Sequence, residues 1–159
     1  MERKHTFIVD ASYDFDSKIT GIGMAIHQAD EPKRNGILID QLSEAYKGIP
    51  PRIIEMLAIY RALEIGIERK YRIIRIRSDH NQMRTKLKKS YEEGKGFQRE
   101  DLYGEIMRIT RSFELVQFGY KPRRKNQMAH TLARRARINE IPIIRDDLIL
   151  VCNYKHENG

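Results

Sequence analysis

Three acidic residues have the surroundings expected of a metal site. Asp10 follows the apolar run Phe7–Val9, Glu55 lies at the start of an apolar helical segment, and Asp79 ends another strand-like run. A carboxylate at the end of a buried element costs free energy unless it is paired or holds a cation. Carboxylate oxygens are hard ligands of the kind that Mg²⁺ and Mn²⁺ prefer. The three acids together therefore predict a site for divalent cations.

Each acid also has an ordinary structural explanation. Glu55 would suit the first turn of a helix, where a negative charge interacts favourably with the helix dipole. Asp79 would suit the position that caps the following helix. Asp10 is harder to explain in this way, because it would enter the half-buried end of a strand. The metal site is favoured because all three acids fall at the ends of predicted elements.

The excess of basic residues favours an anionic partner. The chain has 159 residues, of which 30 are Lys or Arg and 22 are Asp or Glu, giving a formal net charge of +8. A basic domain of this kind often binds nucleic acid, because phosphate contacts release counterions. A well-solvated surface is the alternative. The single cysteine, Cys152, excludes an intrachain disulfide and a zinc site built from cysteines.

The sequence predicts a soluble cytoplasmic protein without a membrane partner or a small-molecule cofactor. The first residues, 1–5, are charged and lead into a short strand-like run, which is unlike a signal peptide. No apolar stretch approaches the roughly 20 residues that a membrane-spanning helix needs. One cysteine in the chain also fits a reducing compartment.

Hydrophobic periodicity predicts the element order βββαβααβα. Predicted strands cover residues 5–12, 20–27, 37–42, 72–77 and 113–120, and predicted helices cover residues 52–69, 80–91, 99–112 and 127–138. Residues 30–36 have the composition of a turn. Gly21 and Gly23 lie inside the second strand, where glycine marks a bulge or a close backbone approach. The pattern predicts a mixed sheet with helices on its faces.

The last residues of the chain are predicted to form an extension. Residues 1–138 are expected to form one domain, and residues 139–159 are expected to pack on it because they are rich in apolar side chains. The extension would add a strand or cover an edge of the sheet. Packing on a second copy of the chain is the alternative.

Five short motifs, in this order along residues 5–137, resemble the ribonuclease H-like family. They are Ile8–Ser12, Gly21–Ile26, Glu55–Leu63, Arg77–Asp79 and Asn126–Ala133. The variety most similar to this chain is the shorter, reverse-transcriptase-associated type. The resemblance implies an α/β fold in which a five-stranded mixed sheet, with three antiparallel strands and then two parallel ones, is flanked by helices.

The resemblance also implies an activity. It predicts an endonuclease that uses two divalent cations, Mg²⁺ or Mn²⁺, to hydrolyse the RNA strand of RNA–DNA hybrids, leaving a 5′-phosphate and a 3′-hydroxyl. The implied catalytic and metal-binding residues are Asp10, Glu55, Asp79 and His130. Asp10 would bridge the two cations, and Glu55 and Asp79 would hold the cation nearer the leaving group.

His130 is a departure from the family pattern, which usually has a fourth acid at this position. A neutral imidazole can bind a divalent cation, but it brings no negative charge and suits softer metals than Mg²⁺. Three interpretations follow. His130 is a metal ligand or proton shuttle in an active enzyme, or Asp146 or Asp147 replaces the missing charge, or the site is impaired and the protein mainly binds nucleic acid.

The remaining predicted contacts concern nucleic acid. The residues expected to bind it are Ser12, Asn81, Lys121, Arg123, Arg124, Lys125 and Asn126. The segment Gly48–Ile54 lacks the Asn that many family members use to contact the 2′-hydroxyl of RNA, which weakens the prediction of strict RNA selectivity. Two alternatives to a hybrid-cutting nuclease therefore stay open: a binding module with an impaired site, and a nuclease for another nucleic acid, such as structured DNA.

Overall fold

The computed structural model describes residues 3–29 and 36–154. Its strands are β1 (Lys4–Asp14), β2 (Ile19–Ala29), β3 (Ile37–Lys47), β4 (Ile73–Ser78) and β5 (Leu115–Tyr120). Its α-helices are α1 (Ile54–Glu68), α2 (Asn81–Glu93), α3 (Leu102–Thr110), α4 (Gln127–Asn139) and α5 (Asp146–Cys152). Two short 3-10 turns, at Pro51–Ile53 and Arg123–Lys125, precede α1 and α4. The predicted turn over residues 30–36 lies outside the described residues except for its last position.

The described strands form one mixed sheet in the order β3-β2-β1-β4-β5. Antiparallel pairing joins β1 to β2 and β2 to β3, whereas parallel pairing joins β1 to β4 and β4 to β5. Helix α1 makes the crossover between β3 and β4, as parallel strands require. The predicted fold class, with three antiparallel strands followed by two parallel ones, is confirmed.

The two faces of the sheet are covered by different helices. Helices α1 and α3 pack together on one face, and α1 contacts β1, β2 and β4 there. Alternation along β4 directs Ile74 and Ile76 into this core, where both are buried. Helix α4 packs on the other face against β1, β2 and β3. The sheet is thus the middle layer between helices, with β1 and β2 covered on both faces.

Several boundaries differ from the predicted ones for local reasons. The helix predicted from residue 52 begins with a 3-10 turn at Pro51–Ile53 and becomes α-helical at Ile54. Helix α3 begins at Leu102, later than predicted, because the Asp101 side chain accepts a hydrogen bond from the Gly104 N–H and caps the helix there.

Gly21 and Gly23 allow α4 to lie against the backbone of β2. A Cβ atom at Gly23 would be 2.1 Å from the Ala129 carbonyl oxygen, and one at Gly21 would be 2.0 Å from that of Ala133. No side chain larger than a hydrogen fits at these distances. The close backbone approach predicted for these glycines is confirmed, and it sets the position of α4 relative to β1.

The C-terminal segment contains a helix instead of the full strand considered from the sequence. Ile143 makes a single bridge to β3, in which its N–H donates to the Ala45 carbonyl at 2.8 Å. Helix α5 follows, and its Leu148 and Cys152 side chains are buried in the main core. Arg145 forms an ion pair with Glu64 of α1 at 2.8 Å. Within the described residues, no helix is long and apolar enough to cross a membrane.

Candidate active site

The sheet brings the three predicted acids to one edge. Asp10 lies on β1 opposite Gly23, and Asp79 immediately follows the neighbouring parallel strand β4. Glu55 lies in the first turn of α1. One oxygen from each of these three carboxyl groups lies within 4.8 Å of the others. Among the described residues, this is the group of acidic or metal-binding side chains with the geometry to hold a cation.

The carboxylates line an open pocket of about 510 Å³. Its walls comprise Asp10, Ala11, Ser12, Glu55, Asp79, His80, Tyr120, Arg123 and His130. Asp10 forms the floor, since only 4% of its surface is exposed. Arg123 and His130 add groups that can carry positive charge beside the acids. We refer to this cavity as the carboxylate pocket.

Burial and mutual repulsion disfavour the charged forms of two of the acids. Burial raises the pKa of Glu55 to about 8, with further raising by the charges of Asp10 and Asp79. The pKa of Asp10 is also raised, first by burial, although the hydrogen bond from His130 opposes the shift. Three ionised carboxylates at this spacing therefore need a positive charge among them.

The donor set fits a hard divalent cation. The Oε2 atom of Glu55 is buried and has no hydrogen-bond partner among the described residues. A buried carboxylate oxygen without a donor is costly, and a bound cation would remove that cost. All three acids offer oxygen ligands of the type preferred by Mg²⁺ and Mn²⁺. The described residues thus provide what such a cation needs.

His130 reaches the pocket from the first turns of α4. Its Nδ1 atom lies 2.9 Å from Oδ2 of Asp10, and 26% of its side chain is exposed. The imidazole therefore contacts the most buried acid directly. Asp147 does not replace the missing charge in the pocket. Its carboxylate pairs with Arg145 at 2.6 Å, and Arg145 also pairs with Glu64, which lies more than two turns after Glu55 on α1. Asp146 lies beside Asp147 in the first turn of α5.

Two of the predicted nucleic-acid contacts line the carboxylate pocket. Arg123 does so from the 3-10 turn before α4. Ser12 lies on the pocket wall, but its hydroxyl already accepts a hydrogen bond from Nε of Arg137 at 2.8 Å. Asn81 begins α2 outside the pocket and is exposed, with its Oδ1 bonded to Arg84 at 2.5 Å.

The basic turn divides into an inner and an outer part. Lys121 is half-buried, and its backbone N–H donates to the Ser78 carbonyl at 2.9 Å, next to Asp79. Arg124 and Lys125 are exposed on the same turn. Their position at the rim leaves them accessible to a polyanion.

Asn126 requires a correction. It was predicted to bind nucleic acid, but only 2% of its surface is exposed. Its side-chain amide donates to the Val9 carbonyl at 3.1 Å, which ties the start of α4 to the strand residue before Asp10. Asn126 therefore holds the frame of the pocket, because its side chain faces the protein interior and not the solvent.

Two pocket residues were missed by sequence reasoning. His80 follows Asp79, and its Nδ1 accepts a hydrogen bond from the Met83 N–H at 3.3 Å, so it caps α2. Tyr120 lies at the end of β5, whose parallel pairing with β4 brings it to the same edge. The adjacency of His80 to Asp79 was a usable signal. Tyr120 was harder to find, because its place depends on the strand order.

A family model described as reverse transcriptase-like matches residues 8–136. The chain belongs to this ribonuclease H-like family. The matched residues include Asp10, Glu55, Asp79 and His130, the four residues of the predicted site. No match to a curated protein sequence was found.

Solved structures of ribonucleases H share this fold at low sequence identity. RNase H1 from the halophilic archaeon Halobacterium salinarum is 18% identical, with a TM-score of 0.64 over 84% of this chain and 96% of that one. The N-terminal RNase H domain of a Mycobacterium tuberculosis protein is 14% identical, with a TM-score of 0.64 over 86% of this chain and 95% of that one. LC11-RNase H1 from compost, in complex with an RNA/DNA hybrid, is 18% identical, with a TM-score of 0.61 over 84% and 96% of the two chains.

Proposed function

We propose that the protein is a metal-dependent endonuclease that hydrolyses the RNA strand of RNA–DNA hybrids. The observation that carries the proposal is the convergence of three carboxylates within 4.8 Å at one edge of an RNase H-like sheet. The net charge of +8 supports an anionic substrate. LC11-RNase H1, which has this fold, was solved with an RNA/DNA hybrid, and that supports the choice of substrate.

The proposed roles follow from the position of each side chain. Asp10, Glu55 and Asp79 would hold Mg²⁺ or Mn²⁺, and two such cations, when bound, supply a nucleophilic water and neutralise charge on the leaving oxygen. Glu55 binds in its ionised form, so its raised pKa favours cation binding at the upper end of the neutral range. His130 orients the Asp10 carboxylate through their hydrogen bond.

The groups at the rim would position the nucleic acid. Arg123 lies on the pocket wall and bears a fixed positive charge beside the acids. Arg123 would contact the phosphate next to the cleaved bond, and Arg124 and Lys125, which are exposed on the same turn, would contact phosphates farther along the strand. Such contacts set the register of the substrate without reading its sequence.

A second candidate function is nucleic-acid binding with an impaired active site. It is favoured by His130, which occupies the position of the usual fourth acid and bonds to Oδ2 of Asp10. That bond occupies a carboxylate oxygen and adds no negative charge. In this case the protein would bind nucleic acid in a strongly salt-dependent manner without turnover in either Mg²⁺ or Mn²⁺.

One panel of labelled substrates separates these functions. We would incubate the protein with RNA–DNA hybrid, double-stranded RNA, double-stranded DNA and single strands, in Mg²⁺ and in Mn²⁺. The proposed function predicts cleavage of the RNA strand of the hybrid alone. Binding without cleavage of any substrate would instead support the impaired site, and cleavage of DNA would show that the substrate class is wrong.

The matched control for this panel is Asp10→Asn, which keeps the size of the side chain and removes its charge. The variant is expected to lose cleavage while hybrid binding persists. Full activity in a pure Asp10→Asn preparation would reject the proposed mechanism.

A further inference from the structure

Helix α4 covers only part of the sheet face on which it packs, and the uncovered part is basic. Helix α4 packs on β1, β2 and β3, and the outer strands β4 and β5 continue beyond it. Along β4, buried Ile74 and Ile76 alternate with half-buried Arg75 and Arg77, which point to this face. Lys121 extends the same face just past the end of β5. We call this surface the basic sheet face, made of Lys4, Arg75, Arg77, Gln117, Gly119 and Lys121.

The cations on this face repel one another. Within the described part of the chain, Arg75, Arg77 and Lys121 form no ion pair with a carboxylate. The pKa of Arg75 is lowered by burial and then by Arg77, and the pKa of Lys121 is lowered by burial and then by Arg77 and Lys125. Repulsion of this kind is a cost in the free protein, and a bound polyanion would relieve it.

The arginines are held in place by the strands on either side. A Cβ atom at Gly119 would lie 3.1 Å from Cγ of Arg77, so the stem of Arg77 lies across the bare backbone of β5. On the other side, Nε of Arg75 lies 3.4 Å from the Thr6 hydroxyl of β1. The guanidinium group of Arg75 and the stem of Arg77 are therefore positioned before any ligand arrives. Their Cα atoms, two residues apart on one strand, are separated by about 6.6 Å.

A trough of about 430 Å³ joins the outer part of this face to the β5 edge, where residues of α2 form its far wall. It is lined by Lys4, Arg75, Lys88, Tyr91, Glu92, Leu115, Val116, Gln117, Phe118 and Gly119. Glu92 is the one acid among these residues. Leu115, which is 39% exposed, adds apolar surface at the start of β5. The trough thus combines positive charge with apolar area.

The basic sheet face is continuous with the rim of the carboxylate pocket. Arg77 precedes Asp79 by two residues. Lys121 bonds through its backbone to Ser78 and precedes Arg123, which lines the pocket. A chain that leaves the pocket past Lys121 would meet Arg77 and then Arg75.

We propose that the basic sheet face binds single-stranded nucleic acid over a few nucleotides. The cations would hold phosphates, and the apolar surface of the adjoining trough would accept bases, the combination that binds single strands without sequence preference. Binding here requires neither cleavage nor a metal. One part of the proposal rests on the proposed function: the bound strand would extend from a hybrid that lies in the carboxylate pocket.

The test is the salt dependence of single-strand binding in the absence of divalent cations. Binding of a short labelled oligothymidylate, in EDTA, would be measured by fluorescence anisotropy at several salt concentrations. Arg75→Gln/Arg77→Gln removes two phosphate contacts, so affinity should fall at least about tenfold and the slope of log K against log salt should become about 1.4 less negative. Arg75→Lys/Arg77→Lys keeps both charges and should retain most of the slope.

The matched control removes two charges from the opposite side of the sheet. Lys70→Gln/Arg111→Gln changes exposed residues at the ends of α1 and α3 and should leave the slope nearly unchanged. An equal loss in both double variants would show that only net charge matters and would overturn the proposal. An oligoglutamate of matched length is the second control. If it bound as tightly as the oligothymidylate and lost as much affinity in Arg75→Gln/Arg77→Gln, the proposal would be overturned in favour of an acidic protein partner.

Two further measurements test where the oligothymidylate binds and whether this binding is separate from hybrid cleavage. In amide NMR spectra, the oligothymidylate should shift Gln117 and Gly119, and shifts confined to the carboxylate pocket would overturn the proposal. A blunt hybrid should be cut equally well by wild type and Arg75→Gln/Arg77→Gln. Arginine-dependent binding without hybrid cleavage would reject the nuclease function alone, whereas cleavage without arginine-dependent binding would reject this second surface alone.

Discussion

The Nδ1 atom of His130 lies 2.9 Å from Oδ2 of Asp10. Helix α4 therefore contributes a hydrogen bond to the carboxylate pocket at the position where the sequence resemblance implied a fourth acid. The side chain of Asn126, at the start of the same helix, fixes the Val9 carbonyl on the strand that carries Asp10. The helix and the strand are thus tied together, and changes in α4 should alter the carboxylate pocket.

The first prediction concerns the charge at position 130. His130→Asp restores a fourth carboxylate, so the ratio of hybrid cleavage in Mg²⁺ to that in Mn²⁺ should rise about tenfold over wild type. His130→Asn, which keeps polar contact without the charge, is the control and should not raise the ratio. Initial rates at saturating metal provide the measurement. An unchanged ratio in His130→Asp would show that the missing charge at this position does not set the metal preference.

The second prediction concerns pH and stability without metal. The pKa of Glu55 is raised to about 8 in the folded state, against roughly 4.3 when unfolded. Between these values the folded state binds the extra proton, so ionisation of Glu55 makes the protein less stable as pH rises. Glu55→Gln should be more stable than wild type by about 1–3 kcal/mol near pH 9 in EDTA, and the gain should shrink towards about pH 5.

Urea unfolding at both pH values, with and without Mn²⁺, measures this difference. Added Mn²⁺ should stabilise wild type and leave Glu55→Gln less affected, because the cation needs the ionised carboxylate. A difference between the two proteins that did not change with pH would contradict the assigned pKa shift.

The third prediction concerns the ion pairs that Arg61 of α1 forms with Glu44 and Glu64. Arg61 makes two hydrogen bonds of 2.8 Å to the Glu44 carboxylate and pairs with Glu64 at 2.7 Å. Arg61→Ala would leave the half-buried Glu44 carboxylate with the Tyr46 hydroxyl as its remaining hydrogen-bond donor, and it should cost about 3 kcal/mol of the free energy of unfolding. Lys95→Ala breaks an exposed ion pair with Glu93 and should cost less than about 0.5 kcal/mol. Similar losses from both changes in chemical denaturation would show that burial of the Arg61 pair has no energetic consequence.

The fourth prediction concerns the glycine opposite Asp10. Gly23→Ala would place a Cβ 2.1 Å from the Ala129 carbonyl, so α4 must move away from β2. Stability should fall by about 2 kcal/mol, and hybrid cleavage should fall with it because His130 leaves Asp10. Gly94→Ala, where no atom lies within 4 Å of the added Cβ, is the control and should lower stability by about 1 kcal/mol through its positive φ alone, with no change in cleavage. Normal cleavage by Gly23→Ala would show that the activity does not depend on the packing of α4 against β2.

Much of the fold followed from patterns that act over short distances. The strands were recognisable because apolar β-formers such as those at Phe7–Val9 fall in short runs, and α1 was recognisable from its apolar periodicity. The three acids were found for the same reason, since each lies at the end of such an element. Their convergence required the parallel pairing of β1 and β4, which the family resemblance supplied.

The errors arose where long-range packing decides the structure. Asn126 is polar and sits in a basic turn, and only the contact with Val9 shows that it is buried. The tail is rich in β-formers, yet residues 146–152 are helical because Leu148 and Cys152 can enter the core from one helical face. Tyr120 reaches the pocket through strand order, which local sequence does not encode.

The central claim is that Asp10, Glu55 and Asp79 jointly bind a divalent cation that supports hydrolysis. The most direct measurement is a calorimetric titration of Mn²⁺ into the wild-type protein and into Asp10→Asn/Glu55→Gln/Asp79→Asn, with correct folding of the variant checked by circular dichroism. Wild type should show saturable binding at neutral pH, and the folded variant should show none. Saturable binding of equal affinity in both proteins would place the cation elsewhere and contradict the account.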